Sequence, residues 1–96
     1  MKIIPIQRFT VSGNSMLPTL KPGQDVLCFN WWRLVGIKVG DIVVIKVNGK
    51  EMVKRIQNVY DLEVFVEGDN KKDSTDSRSF GPVKKDQIIG KIIFKI

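Results

Sequence analysis

The sequence predicts a mostly β domain, a compact small β-barrel-like or coiled sheet with little or no helix. Three observations carry that expectation. Short runs of β-branched and aromatic residues recur between clusters of Gly, Pro, Asn and Asp. An Asn-Gly pair, Asn48-Gly49, joins two of those runs. No heptad, internal repeat or convincing helical period interrupts them. With 96 residues, the chain makes one domain around one core.

Taken in order, residues 1–9 alternate poorly and end in Arg8-Phe9, which reads as a lead-in arm or strand before a core over residues 10–90. Lys21-Pro22-Gly23-Gln24 turns into a short strand over 25–30. Residues 42–47, a β-branched run too short for an isolated helix, read as a buried strand. Asn48-Gly49 suits a type I′ turn, which needs positive φ at both central residues, and a strand returns over 51–59. Residues 62–66 alternate as a strand, 68–79 form a polar loop whose composition says turn or disorder, and 88–94 read as the final strand.

Composition limits the chemistry. Sixteen Lys and Arg against ten Asp and Glu leave a net charge of +6, spread without a block of five like charges, so the bias toward anionic partners is mild. There is no His and only one cysteine, so the usual zinc-ligand sets are missing and no metal or other cofactor is expected. Cys28 lies in the apolar run Val26-Leu27-Cys28-Phe29 and reads as a buried small hydrophobe rather than a reactive thiol. No apolar stretch approaches the roughly 18–20 residues of a membrane span, so a cytoplasmic or peripherally membrane-associated chain is expected. The segment Phe29-Asn30-Trp31-Trp32-Arg33-Leu34-Val35 has three readings: packing over one end of the core, resting on a membrane through Trp31 and Trp32, or stacking on bases.

Nucleophilic chemistry points to Ser15. It sits between Gly13 and the Pro18-Thr19 turn, where backbone amides can face outward toward an oxyanion, although Ser beside Gly and Pro is also ordinary turn chemistry. Without His, its base must be Lys or a carboxylate. Alternation within 51–59 puts Met52, Lys54 and Ile56 on one face and Val53, Arg55 and Gln57 on the other. An amine on an apolar face is desolvated, which lowers a pKa otherwise about 10.4 and lets it accept a proton. The alternative is a Lys54 whose stem lies on the sheet while its head reaches water.

With Gly68-Asp69-Asn70 and Ser74-Thr75-Asp76-Ser77-Arg78 added to Ser15 and Lys54, the chain resembles the signal peptidase I family of Ser/Lys endopeptidases. Gly13 to Leu20 looks like its nucleophile box, Gly40-Asp41-Ile42-Val43-Val44 like its strand box, Val53-Lys54-Arg55-Ile56 like its lysine box, and 68–78 with Gly81 like its closing box. The resemblance implies that catalytic core fold, with Ser15 as nucleophile, Lys54 as general base, Ser74 orienting the lysine and the Ser15 backbone amide as one oxyanion donor. It implies that Arg55 with Asp69, and Asp76 with Arg78, brace the site. Phe9, Val11, Met16, Leu20, Met52 and Val53 would lie near shallow pockets for small substrate side chains. The partner implied is a protein or peptide with small residues before the cut, with no nucleic acid expected.

Two departures qualify the resemblance. Some members carry a Ser two residues before the nucleophile as second oxyanion donor; here Gly13 stands there, which leaves that donor open between a backbone amide and a water. Fourteen positions from Lys54 to Gly68 leave no room for the large β insertion of bigger members, and no amino-terminal anchor is seen. The chain is most similar to the short, anchor-less nickel-type superoxide dismutase maturation peptidases, which implies a partner's amino-terminal extension as substrate. The competing reading is a non-enzymatic basic β domain that binds single-stranded nucleic acid through its charge and tryptophans.

Overall fold

The computed structural model describes residues 5–96. Its strands are β1 (Ile6–Thr10), β2 (Asp25–Phe29), β3 (Ile42–Val47), β4 (Lys50–Val59), β5 (Glu63–Glu67), β6 (Val83–Lys84) and β7 (Ile88–Lys95). Residues 1–4 of the expected lead-in lie outside the described residues; the rest of it supplies β1.

Local chemistry fixes the centre of the sheet. Asn48 and Gly49 have φ of 51° and 79°, and Val47 pairs with Lys50, so the two-residue turn sets the β3–β4 register. All neighbouring strands pair antiparallel, in the order β1-β2-β7-β3-β4-β5-β6, so the last strand is inserted between the second and third. Successive residues of β3 point to opposite faces, and both faces are covered. Val43 and Ile45 join Trp32, Ile56, Val64, Val66, Val83 and Ile88 in one cluster. Val44 joins Val11, Met16, Leu20, Val26, Cys28 and Val53 in a second. A strand buried on both faces needs an unbroken apolar run, which 42–45 supplies before the exposed Lys46.

The second cluster holds the segment between β1 and β2 that carries Ser15. Val11, Met16 and Leu20 are each no more than 3% exposed, so the turn is pinned at both ends and beside its serine. Cys28 is buried in the same cluster, and burial first, with Glu51 adding to it, pushes its thiol up to about 11, an inert thiol at neutral pH.

The structure decides between open readings in two places and adds one element. The polar loop is ordered, with a 3₁₀ turn at Lys71–Asp73 and a helical turn at Ser77–Phe80, because Asp76 is fully buried and gathers its neighbours' hydrogen bonds. The short strand β6 follows it, unforeseen because two residues carry no period. The tryptophan pair divides: Trp32 is 5% exposed and donates from Nε1 to the Ile88 carbonyl at 3.1 Å, so it belongs to the core and is not available to a membrane. Trp31 remains exposed, and Arg33 lies 4.5 Å over the Trp32 ring. Among the described residues no helix is long and apolar enough to cross a membrane.

Candidate active site

Three segments meet at one groove of about 330 Å³, lined by Phe9, residues 12–15, residues 50–54, Asp73 and Thr75. The turn after β1 brings Ser15, β4 brings Lys54, and the loop after β5 closes over both.

Lys54 is 4% exposed. Its Nζ donates to Ser74 Oγ at 3.1 Å, and Ser74 Oγ donates its proton to Asp76 Oδ2 at 2.6 Å. A hydroxyl has one proton, so with that proton committed to Asp76, Ser74 can only accept from the amine. The lone pair of a neutral Lys54 is therefore left for another partner. Burial, the largest influence, pulls the Lys54 amine below its ordinary value; nearby Lys50 and Arg78 act in the same direction, while Asp76 and Asp73 oppose it. Among the described hydrogen bonds none joins Lys54 to the Ser15 hydroxyl, and both residues line the same groove.

Asp76 anchors the closing loop. It accepts from the Gly68 amide at 2.9 Å, from Ser74, from the Arg78 amide, and from Arg78 Nε and Nη2 at 2.9 and 3.0 Å. Burial pushes its pKa upward, but the hydrogen bonds from Arg78, Ser74 and the two amides win and hold the carboxyl far below the usual carboxylate range. A second bracket joins all three segments. Asp69 accepts from Arg55 Nε and Nη2, both at 2.8 Å, and from the Thr19 hydroxyl, while Arg55 Nη1 donates to the Gly40 carbonyl at 2.7 Å. The Arg55 guanidinium holds the Asp69 carboxyl below its ordinary value, against a smaller burial effect.

Of the residues expected near substrate pockets, Phe9, Met52 and Val53 line the groove, whereas Val11, Met16 and Leu20 lie in the core beneath the Ser15 turn. Gly13 lines the groove with φ of 76° and contributes no side-chain donor. Sequence reasoning gave no role to Asn70, whose backbone amide donates to the Ser15 carbonyl at 2.8 Å and whose side chain donates to the Asn14 carbonyl at 3.0 Å. Nor did it foresee Gly68, where a Cβ would stand 2.5 Å from the Ser15 carbonyl oxygen and collide with Ser74 Oγ. The signal present was the Gly-Asp-Asn order itself, a small residue followed by two that bond backbone groups.

Residues 53–96, which include Lys54 and the closing loop but not Ser15, match the family model described as signal peptidase, peptidase S26. The chain is also similar to mitochondrial inner membrane protease subunit 1 of Xenopus tropicalis, 35% identical over 109 residues that take in 88% of this chain. The matched region is 65% of that relative, so the chain spans less than two thirds of its length.

Proposed function

Because this chain belongs to the signal peptidase I-like S26 family, we propose that it is a serine endopeptidase working through Ser15 and Lys54, and that it cleaves an amino-terminal leader or signal-like segment from a partner protein. The observation that carries the reading is the buried Lys54 amine, held by Ser74 in the groove that Ser15 also lines.

Neutral Lys54 takes the Ser15 proton as Oγ forms a bond to the scissile carbonyl carbon. The resulting oxyanion is held by the Ser15 backbone amide. Lysinium gives its proton to the leaving amine as the C–N bond breaks, and the acyl group stays on Oγ as an ester. A water, deprotonated by the same amine, then attacks the ester; the acid leaves, and Oγ regains a proton. No step calls for a metal or organic cofactor. Phe9, Met52 and Val53 offer a shallow apolar wall, which suits small side chains such as Ala before the cut in an extended substrate.

The relative's name sets it at an inner membrane, and on this chain Trp31 (47% exposed) and Leu34 (75%) flank Arg33. We take this loop as the proposed contact with a lipid surface.

The test is cleavage of an internally quenched peptide with Ala one and three residues before the cut. Ser15→Ala and Lys54→Ala are each expected to lower kcat by at least about 100-fold while the thermal unfolding transition is kept. Full activity in either folded variant sinks the dyad.

A further inference from the structure

A trans peptide unit points its C=O and its N–H in opposite directions. The orientation of the Ser15 amide, the proposed oxyanion donor, is therefore set by whatever holds the Asn14 carbonyl. Two donors hold it: the Leu17 amide at 3.2 Å and the Asn70 side-chain amide at 3.0 Å. The next carbonyl, that of Ser15, is held by the Asn70 backbone amide at 2.8 Å. Among the described residues, the Ser15 N–H itself has no acceptor within the chain.

We infer that Asn70 is a positioning residue for the oxyanion hole: by gripping the carbonyls of Asn14 and Ser15 from the closing loop, it turns the Ser15 N–H into the groove. The inference rests on the Ser15/Lys54 reading. Asn70 is itself fixed from both sides, since Asp69 before it is paired with Arg55, and its own carbonyl accepts from the Asp73 amide at 3.0 Å. A carbonyl oxygen only accepts, so the Asn70 side chain must present its NH₂ group to Asn14. Aspartate, of the same shape, has no proton to offer there and repels the carbonyl. With Gly13 lacking a hydroxyl, the oxyanion depends on backbone aim more heavily than it would with a side-chain donor beside it.

Asn70→Asp and Asn70→Ala keep the backbone amide and remove only the side-chain donor. Both are expected to lower kcat about 10- to 100-fold, less than or equal to the loss on deleting an oxyanion donor outright, with KM within about twofold. A peptide aldehyde of the same sequence, whose adduct with Ser15 mimics the oxyanion, should lose affinity in step with kcat. Binding of the uncleaved peptide should be the same for Ser15→Ala and for Ser15→Ala combined with Asn70→Asp. In Asn70→Ala, which adds no charge, the midpoint of the pH–rate curve should not move, because Asn70 does not act on Lys54. Unchanged kcat overturns the inference, as does equal weakening of aldehyde and uncleaved peptide, or a shifted midpoint in Asn70→Ala. Loss of folding in both variants also overturns it, since Asn70 would then hold the fold rather than the amide. Cleavage by the wild type with none by Ser15→Ala keeps the dyad standing, so a null result in the Asn70 variants bears on Asn70 alone.

Discussion

Lys54 shows how one side chain's surroundings set its chemistry. Burial disfavours the ammonium, so its pKa lies below the ordinary 10.5, and in the proposed reaction only the neutral form can deprotonate Ser15. The single-turnover rate of peptide cleavage is therefore expected to rise with pH and to level off above a midpoint lower than 10.5. The acidic limb should follow one proton. A rate independent of pH between 6 and 10, roughly the span between ordinary His and Lys pKa values, would remove Lys54 as the base. Period-two alternation in the sequence already put Lys54 on a face with Met52 and Ile56. It could not decide between burial and a head reaching water, because that depends on the loop after β5, which supplies Ser74.

At the scale of elements, the loops carry more of the site than the strands do, and they were the less legible part. The β3–β4 hairpin follows from Asn48-Gly49 alone, since positive φ at both residues is a local requirement. The loop over 68–79 has a composition that fits turn or disorder alike, and its order comes from the buried Asp76 and the hydrogen bonds it gathers. The loop from Trp31 to Val39 was ambiguous because adjacent indoles look alike in sequence; one of them found the Ile88 carbonyl. Its exposed side chains give a separate expectation. The wild type should float with vesicles containing anionic phosphatidylserine, and Trp31→Ser with Leu34→Ser should weaken that association several-fold without changing cleavage of a soluble peptide. Equal flotation of the two proteins would exclude this loop as the contact.

For the molecule as a whole, three carboxylates couple folding to pH. Asp41, Asp69 and Asp76 all have folded pKa values below the ordinary 3.8. At Asp69 the Arg55 pair dominates; at Asp41 and Asp76 burial acts against the shift but is outweighed by hydrogen bonds from Lys38 and Lys91, and from Arg78 and Ser74. A carboxyl depressed on folding stabilises the native state fully above the unfolded pKa and loses that contribution as pH falls through the folded one. The urea midpoint should thus hold steady from pH 7 to about 5 and fall steeply below about pH 4. Asp69→Asn should flatten part of that fall. An acid limb unchanged in this variant would show that the Arg55 bracket adds little to stability.

Local sequence determined the β character, the central hairpin, the buried strand at 42–47, the inert Cys28 and the candidate pair Ser15 and Lys54. Each of these follows from backbone sterics, burial of apolar runs, or residue types in a fixed order. Tertiary structure alone decided that β7 enters between β2 and β3, that Val11, Met16 and Leu20 pack the Ser15 turn from beneath, and that Asn70 and Thr19 tie that turn to the closing loop. Those contacts join residues some fifty positions apart. No local propensity encodes them; they exist only once the sheet has brought its loops to one edge of the groove.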